Sequence, residues 1–226
     1  MRKLIRGIVE FRQKSLEHYR HKFSQLAHGQ SPDTLMIACC DSRVAPNAFA
    51  STNPGDLFVV RNIGNLVCPC NTHDLSATDE STAAAIEFSL NTLNVKDIII
   101  CGHSECAAMQ ALIDDRQKVG SNYLQAWLRY ADQSYKRYNE GFRINSHLSA
   151  TNELSQINVL QQMAHLETYE LVQKHLANGS VRIHGWWFDL ATANVYYYDQ
   201  HNGHFQLIDE ANAQKLLTNL FHESKK

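Results

Sequence analysis

The sequence lacks the features of two classes of protein. None of its apolar runs approaches the roughly 20 residues that a helix needs to span a bilayer, and its 226 residues carry a formal net charge of only −2. A dedicated nucleic-acid-binding domain would show a strong excess of Lys and Arg. We therefore expect no membrane span and no nucleic-acid partner. The composition does not exclude a small neutral or anionic substrate.

Signals for export and for several domains are also missing. Residues 1–12 contain no apolar run longer than two residues, which is too short for the core of a signal peptide. The six cysteines do not form the dense framework of a small secreted protein, so reduced thiols or metal binding fit them better than disulfides. We expect a cytoplasmic protein. Because no repeat, linker or low-complexity tract divides the chain, residues 1–226 are predicted to form a single domain.

Hydrophobic periodicity predicts an N-terminal helix. Apolar residues from Ile5 to Leu26 recur on one helical stripe, and the opposite face is rich in Lys and Arg. Such a helix is able to lie on a membrane surface, but a helix that packs on the body or on a partner subunit is the better interpretation.

An alternation of short apolar runs and a helical pattern predicts the fold class. Residues 34–39, 57–61 and 97–101 have the composition of buried strands, and residues 80–93 form an amphipathic helix between the last two. A strand–helix–strand order favours parallel pairing. We therefore predict an α/β fold with a mainly parallel central sheet of four to five strands, flanked by helices, and an N-terminal helix that packs on a partner subunit. Further segments are predicted as a helix over 151–177, strands over 181–190 and 194–198, and a closing helix.

The end of the first predicted strand carries a thiol, a carboxylate and a guanidinium, in the run Cys39-Cys40-Asp41-Ser42-Arg43. Alternate side chains of an extended segment share a face, so Cys39, Asp41 and Arg43 are expected to point one way. By the same alternation, Cys40 is expected to be a small buried hydrophobic residue.

A second cluster, Gly102-His103-Ser104-Glu105-Cys106, follows another predicted strand. His103 and Cys106 are predicted to share one face of the helix that begins there. Because ligands of open α/β sheets bind at the carboxyl ends of the strands, the two clusters are expected to meet. Either motif alone occurs by chance in many chains, but the pair at two strand ends indicates one metal site.

Two thiolates and one imidazole are ligands that zinc prefers, and three protein ligands are typical of a catalytic zinc with an open position for water. Zinc with two thiolates is formally neutral and should acidify its water less than a zinc with three histidines, so we predict activity that rises on the alkaline side of neutrality. Asp41, held by Arg43, is predicted to orient the zinc-bound hydroxide, or in a closed form to become a fourth ligand.

These two motifs resemble the CxDSR and HxxC motifs of the β class of carbonic anhydrases. The similarity extends over about residues 30–199 and includes three further stretches: Pro54-Gly55-Asp56-Leu57-Phe58-Val59-Val60-Arg61-Asn62-Ile63-Gly64-Asn65, Ala84-Ala85-Ile86-Glu87-Phe88, and His184-Gly185-Trp186-Trp187-Phe188-Asp189.

The resemblance implies reversible hydration of carbon dioxide to bicarbonate and a proton, a lyase reaction. It implies one Zn²⁺ per subunit on Cys39, His103 and Cys106, with Asp41 and Arg43 as the orienting pair. It also implies a homodimer or homotetramer with the site at a subunit boundary. The implied substrate-binding positions, which resemble the plant-like subtype, are Gln30, Phe58, Ile63 and Phe88.

The chain departs from the family pattern at three positions. Ala107 stands where glycine is usual, and Phe88 stands where the plant-like subtype has a tyrosine hydroxyl. Met36 replaces the tryptophan of the bicarbonate-inhibited subtype, so we expect no strong closure of the site by bicarbonate. Two alternatives stay open: a hydrolase of carbonyl sulfide or carbon disulfide on the same scaffold, and a non-catalytic zinc-binding protein.

One further group of thiols could suggest a second metal or a redox pair. Cys68 and Cys70 are followed by His73. Their CxC spacing differs from the CxxC of thiol oxidoreductases, so a surface or interface loop is the expectation.

Overall fold

The central element of the computed structural model, which describes residues 1–70 and 79–223, is a mixed sheet of six strands. The strands are β1 (Thr34–Cys39), β2 (Leu57–Asn62), β3 (Asp97–His103), β4 (Arg182–Asp189), β5 (Asn194–Asp199) and β6 (His204–Leu207). Their order in the sheet is β2-β1-β3-β4-β5-β6. The first four pair in parallel and the last two antiparallel, which confirms the mainly parallel α/β sheet. The additional strand is β6, a short segment for which the sequence pattern predicts no regular element.

Strand β1 lies in the middle of the parallel part and is covered on both faces. Leu35 and Ile37 belong to one apolar cluster, and Met36 and Ala38 belong to another on the opposite face. Because both faces are buried, the strand is a continuous apolar run and does not alternate with polar residues. Because the run is continuous, composition alone predicts the bounds of β1.

Ten helices surround the sheet within the described residues. They are α1 (Arg2–Lys14), α2 (Leu16–Leu26), α3 (Pro46–Phe49), α4 (Glu80–Asn91), α5 (Ala107–Asp114), α6 (Asn122–Leu128), α7 (Asp132–Asn139), α8 (Ala150–Leu166), α9 (Glu170–Ala177) and α10 (Glu210–Glu223). Helix α8 is buried along most of its length and packs on β3 and β4, while α4 packs on β2.

Two predicted helices are each broken in two. The N-terminal stripe is interrupted at Ser15, between α1 and α2. The helix expected over 151–177 ends at Leu166 and a second begins at Glu170; between them the Thr168 hydroxyl donates to the carbonyl oxygen of His165, and Tyr169 is extended. A hydroxyl that bonds a carbonyl near the end of a helix competes with continuation of that helix.

The N-terminal helices contribute nothing to the core. Neither α1 nor α2 contains a buried residue, and Leu4, Ile5 and Ile8 are each more than half exposed. An apolar stripe left uncovered in one chain is typical of a surface that binds another protein. Among the described helices, none combines the length and the apolar character that crossing a membrane would require.

Candidate metal centre

The sheet brings the two motifs to one edge. Cys39 is the last residue of β1 and His103 the last of β3, and the two strands are parallel neighbours with Ala38 opposite Cys101. Gly102 permits this arrangement, since a Cβ there would lie 2.7 Å from Cγ2 of Val159 on α8. The absence of a side chain therefore lets α8 pack closely against the strand that carries His103.

A tight turn, not a helix face, joins His103 to Cys106. His103 is still in the strand, Glu105 has a positive φ of 54°, and Cys106 is the N-cap of α5 with extended backbone angles. The expectation that His103 and Cys106 share a helical face is therefore wrong. The left-handed residue between them reverses the chain, and this reversal brings the two side chains together.

Three donor atoms converge at this edge. One donor atom each from Cys39, His103 and Cys106 lies within 4.8 Å of the other two, and all three residues are buried. Hydrogen bonds fix the imidazole, because the carbonyl oxygen of Ser104 accepts from Nδ1 at 2.8 Å. In the neutral tautomer that donates from Nδ1, the lone pair is on Nε2, and within the part of the chain that the structure describes Nε2 has no hydrogen-bond partner. A buried lone pair without a partner is costly unless a metal accepts it, so the residues fit Zn²⁺.

The two thiols behave as one unit. A hydrogen bond from the Cys106 thiol lowers the pKa of Cys39, and the same bond, together with burial, raises the pKa of Cys106. The backbone N–H of Gly64 also donates to Sγ of Cys39, at 3.4 Å. A divalent ion bound between the two sulfurs would allow both thiols to ionise.

The carboxylate beside the cluster is held by two parallel hydrogen bonds. Nε of Arg43 donates to Oδ1 of Asp41 at 2.9 Å, and a terminal nitrogen of Arg43 donates to Oδ2 at 2.7 Å. These bonds hold the pKa of Asp41 well below its usual range. The same terminal nitrogen donates to the carbonyl oxygen of Glu105 at 3.2 Å, so Arg43 links the two motifs.

Residues that sequence reasoning did not assign to the site fix its backbone. Arg61 donates to the carbonyl oxygens of both Cys39 and Asp41. Ser155 donates to the carbonyl oxygen of His103 at 2.7 Å, and Asn152 accepts from the backbone N–H of Glu105. An Arg in an otherwise apolar strand was a signal for Arg61, but nothing local marks the two residues of α8.

The predicted substrate-binding residues do not all lie near the donor cluster of the same chain. Phe58 packs against Phe88, with ring centroids 5.9 Å apart. Phe58 is the second residue of β2, whereas Asn62 at its end is opposite Cys39, a separation of about 13 Å along the sheet. Gln30 is exposed and precedes β1, so it too lies towards the opposite edge.

Ile63 differs from those three positions. It follows β2 directly, beside the glycine that donates to Cys39, and its side chain is 43% exposed. Of the four predicted substrate-binding residues, Ile63 is therefore the one at the edge of the sheet that carries the donor atoms.

Two expectations about the other cysteines are corrected. Cys40 is exposed and not buried, because β1 ends at Cys39 and the alternation of a strand does not continue past its end. Cys68 is buried, and the Tyr169 hydroxyl donates to its carbonyl oxygen, so this part of the loop is core and not surface. His73 lies outside the described residues.

Comparison with known proteins agrees with this geometry. A family model described as carbonic anhydrase matches residues 34–195. The carbonic anhydrase of Synechocystis sp. is 34% identical over 205 residues, which cover 88% of this chain and 71% of that protein. The structure of the β-carbonic anhydrase CcaA superposes with a TM-score of 0.82 at 32% identity, covering 92% of this chain and 98% of the other.

A second solved structure extends the comparison to assembly. One of two tetrameric β-carbonic anhydrases from Sordaria macrospora superposes with a TM-score of 0.74 at 27% identity, over 87% of this chain and 95% of that one. The matched family region contains both motifs and most of the sheet. This chain, with its buried Cys-His-Cys cluster at the carboxyl edge of a parallel sheet, belongs to the β class of the carbonic anhydrase family.

Proposed function

We propose that this protein catalyses the reversible hydration of carbon dioxide to bicarbonate and a proton at one Zn²⁺ per subunit, held by Cys39, His103 and Cys106. The observation that carries the proposal is the convergence of three buried donor atoms, with Nε2 of His103 unpartnered among the described residues. Three ligands leave one position of a tetrahedral site open, as in catalytic zinc sites and unlike closed structural ones. When bound, Zn²⁺ would acidify a water molecule and so supply the nucleophile at moderate pH.

The role that we propose for Asp41 is to orient that nucleophile. Its carboxylate follows Cys39 by two residues and stays ionised, because Arg43 binds both of its oxygens. An ionised carboxylate is only a hydrogen-bond acceptor, so it would direct the lone pair of the attacking water away from itself and towards carbon dioxide. Arg43 would act through Asp41, as the residue that holds the carboxylate in place.

The same contact opposes a closed form in which Asp41 binds the metal. To become a fourth ligand, the Asp41 carboxylate would have to give up two charge-assisted hydrogen bonds from Arg43. Met36 is fully buried in the sheet, where the bicarbonate-inhibited subtype has a tryptophan. We therefore propose a site that stays open in bicarbonate, and a crystal structure at mildly alkaline pH with the Asp41 carboxylate bound to the zinc would refute this.

We further propose that a second copy of the chain completes the substrate pocket. Gln30, Phe58 and Phe88 lie away from the donor cluster of their own chain, and Phe88 is 43% exposed. The uncovered apolar stripe of α1 offers a surface for subunit contact. A homodimer or homotetramer of the plant-like subtype is the assembly we propose. A cytoplasmic location stays a prediction.

Mixing variants tests the shared pocket. Gln30→Ala and Asp41→Asn, each inactive alone, are co-expressed with different affinity tags and the mixed assembly is isolated. If residues from two chains form each site, one site of a mixed dimer carries both changes and the other carries neither, so activity returns to about half of the wild-type value per dimer. No recovery would place Gln30 and Asp41 in the same chain's site.

Stopped-flow hydration of carbon dioxide by zinc-loaded protein tests the reaction itself. We expect kcat/KM to rise with pH above neutrality, and we expect Asp41→Ala to keep its zinc while turnover collapses. Carbonyl sulfide and carbon disulfide are assayed in parallel, since turnover of those substrates without hydration would assign the hydrolase instead. Zinc binding without any turnover would assign a non-catalytic zinc-binding protein.

A further inference from the structure

An indole outside the two motifs reaches the metal centre through one peptide group. Trp127 lies in α6, and its Nε1 donates to the carbonyl oxygen of Ile63 at 2.7 Å. Ile63 opens the short turn after β2. No local pattern in the sequence connects these two residues, which are 64 positions apart.

That carbonyl shares its peptide group with the N–H that faces the Cys39 sulfur. The N–H of Gly64 donates to Sγ of Cys39 at 3.4 Å, in a buried contact. A peptide group is planar and rigid, so whatever fixes its oxygen also fixes the direction of its N–H. The indole, the peptide and the sulfur therefore form a continuous line of two hydrogen bonds.

The next peptide group is fixed independently. Nδ2 of Asn158, which is 1% exposed, donates to the carbonyl oxygen of Gly64 at 3.1 Å. Gly64 has φ +80°, and a Cβ there would lie 3.0 Å from Cβ of Ala108 in α5. Only glycine adopts this conformation at this close approach without strain. The two peptide groups that flank the Cα atom of Gly64 are thus each held by a side-chain hydrogen bond, and Trp127 supplies the bond to the peptide whose N–H faces the sulfur.

We propose that Trp127 is a positioning residue of the metal centre, whose indole N–H holds the Ile63–Gly64 peptide so that it donates a hydrogen bond to the Cys39 sulfur. The proposal rests on the proposed function, since it concerns a sulfur assigned as a metal ligand. A hydrogen bond to a thiolate draws charge away from the sulfur, which then donates less to a metal. Hydrogen bonds in a line also polarise each other, by about 10–30% per bond, so loss of the indole bond weakens the bond to sulfur.

Cobalt substitution tests the proposal spectroscopically. Co²⁺ replaces Zn²⁺ in the full-length protein, and the sulfur-to-cobalt charge-transfer band reports the energy of the sulfur lone pairs. In Trp127→Phe we expect the band to move to longer wavelength, while the visible bands of tetrahedral cobalt keep their intensity. We also expect the pH at which kcat/KM reaches half of its maximum to move upward. A purely structural role for Trp127 would change neither.

The matched control is Trp186→Phe. Trp186 lies on the other face of the sheet, in the cluster of Met36 and Phe188, so the same change of side chain there should leave the charge-transfer band in place. Benzothienylalanine incorporated at position 127 keeps the bicyclic shape and removes only the N–H. Its charge-transfer band provides the test if Trp127→Phe does not fold.

The outcomes separate the two proposals. A wild-type charge-transfer band in the benzothienylalanine protein would overturn the role of Trp127 and leave the metal site intact. Absence of any charge-transfer band in the wild-type cobalt protein would refute the proposed metal site itself, and the role of Trp127 with it.

Discussion

The substitution Arg43→Lys separates orientation of Asp41 from stability of the fold. Arg43 binds both oxygens of Asp41 and the carbonyl oxygen of Glu105. An ammonium group keeps the charge but lacks the planar fork, so it cannot reproduce the paired bonds. The carboxylate oxygens of Asp41 would then be free to move by an ångström or more. Misplacement of a reacting group by that distance lowers kcat/KM by about 10²-fold. In barrier height this is about 2.7 kcal/mol.

Stability should change far less than activity in this variant. The side chain of Arg43 is 52% exposed, and exposed ion pairs contribute about 0.2–1 kcal/mol. Urea denaturation of Arg43→Lys should therefore show a free energy of unfolding within about 1 kcal/mol of wild type. The zinc content should be unchanged, because Cys39, His103 and Cys106 keep their positions.

The chain supplies a matched control at the opposite edge of the sheet. Arg182 binds Asp97 through the same pair of bonds, at 2.8 and 2.9 Å, where β3 and β4 begin. Arg182→Lys should lower stability by about 1–2 kcal/mol, since this pair is mostly buried, and leave kcat/KM unchanged. Stopped-flow hydration and urea denaturation of both variants provide the comparison. Wild-type kcat/KM in Arg43→Lys would refute the orienting role.

Three further predictions concern stability. Burial raises the pKa of Asp97, but hydrogen bonds from His184 and Arg182 outweigh it and lower that pKa to about 2. The pKa of Asp97 in the unfolded chain is about 3.9, which is higher than in the folded protein. The ionised Asp97 therefore stabilises the fold above about pH 3.9, and this stabilisation is lost as the pH falls towards 2. The advantage of wild type over Asp97→Asn in urea denaturation should shrink by about 1–2 kcal/mol over that range, once solvent screening of this partly buried pair is included, and a constant difference would contradict the assignment. Gly102→Ala should cost about 1–3 kcal/mol by overpacking against Val159, and calorimetry with an unchanged Tm would count against it. Removal of zinc by a chelator should lower the Tm, because a buried imidazole nitrogen then has no partner; equal Tm values for the two forms would argue against a bound metal.

The sequence by itself determined the features that depend on neighbouring residues. The apolar run of β1 gave its bounds, since a strand buried on both faces must be continuously apolar. The positions of Cys39, His103 and Cys106 at two strand ends predicted that their donor atoms meet, because parallel strands end at the same edge of a sheet. Both inferences need only a local pattern and a rule about sheets.

Where the local pattern changed, the sequence was insufficient. Strand alternation predicts a buried Cys40, but β1 ends at Cys39 and Cys40 is exposed. Helical spacing predicts that Cys106 shares a helix face with His103, but Glu105 adopts a left-handed conformation and Cys106 is the N-cap of α5. Such endpoints are set by hydrogen bonds between distant residues, here the bond that the backbone N–H of Glu105 donates to Oδ1 of Asn152, and no window of neighbouring residues contains them.

Only the tertiary structure decided which residues support the donor atoms. Trp127 donates to the carbonyl oxygen of Ile63, 64 positions away in the chain. Asn158 donates to the carbonyl oxygen of Gly64, 94 positions away. The tertiary structure also separated Phe58 from the donor cluster of its own chain, by placing it at the far end of β2. Contacts of this kind depend on how α6 and α8 pack against the sheet, which is a property of the whole core and not of any motif.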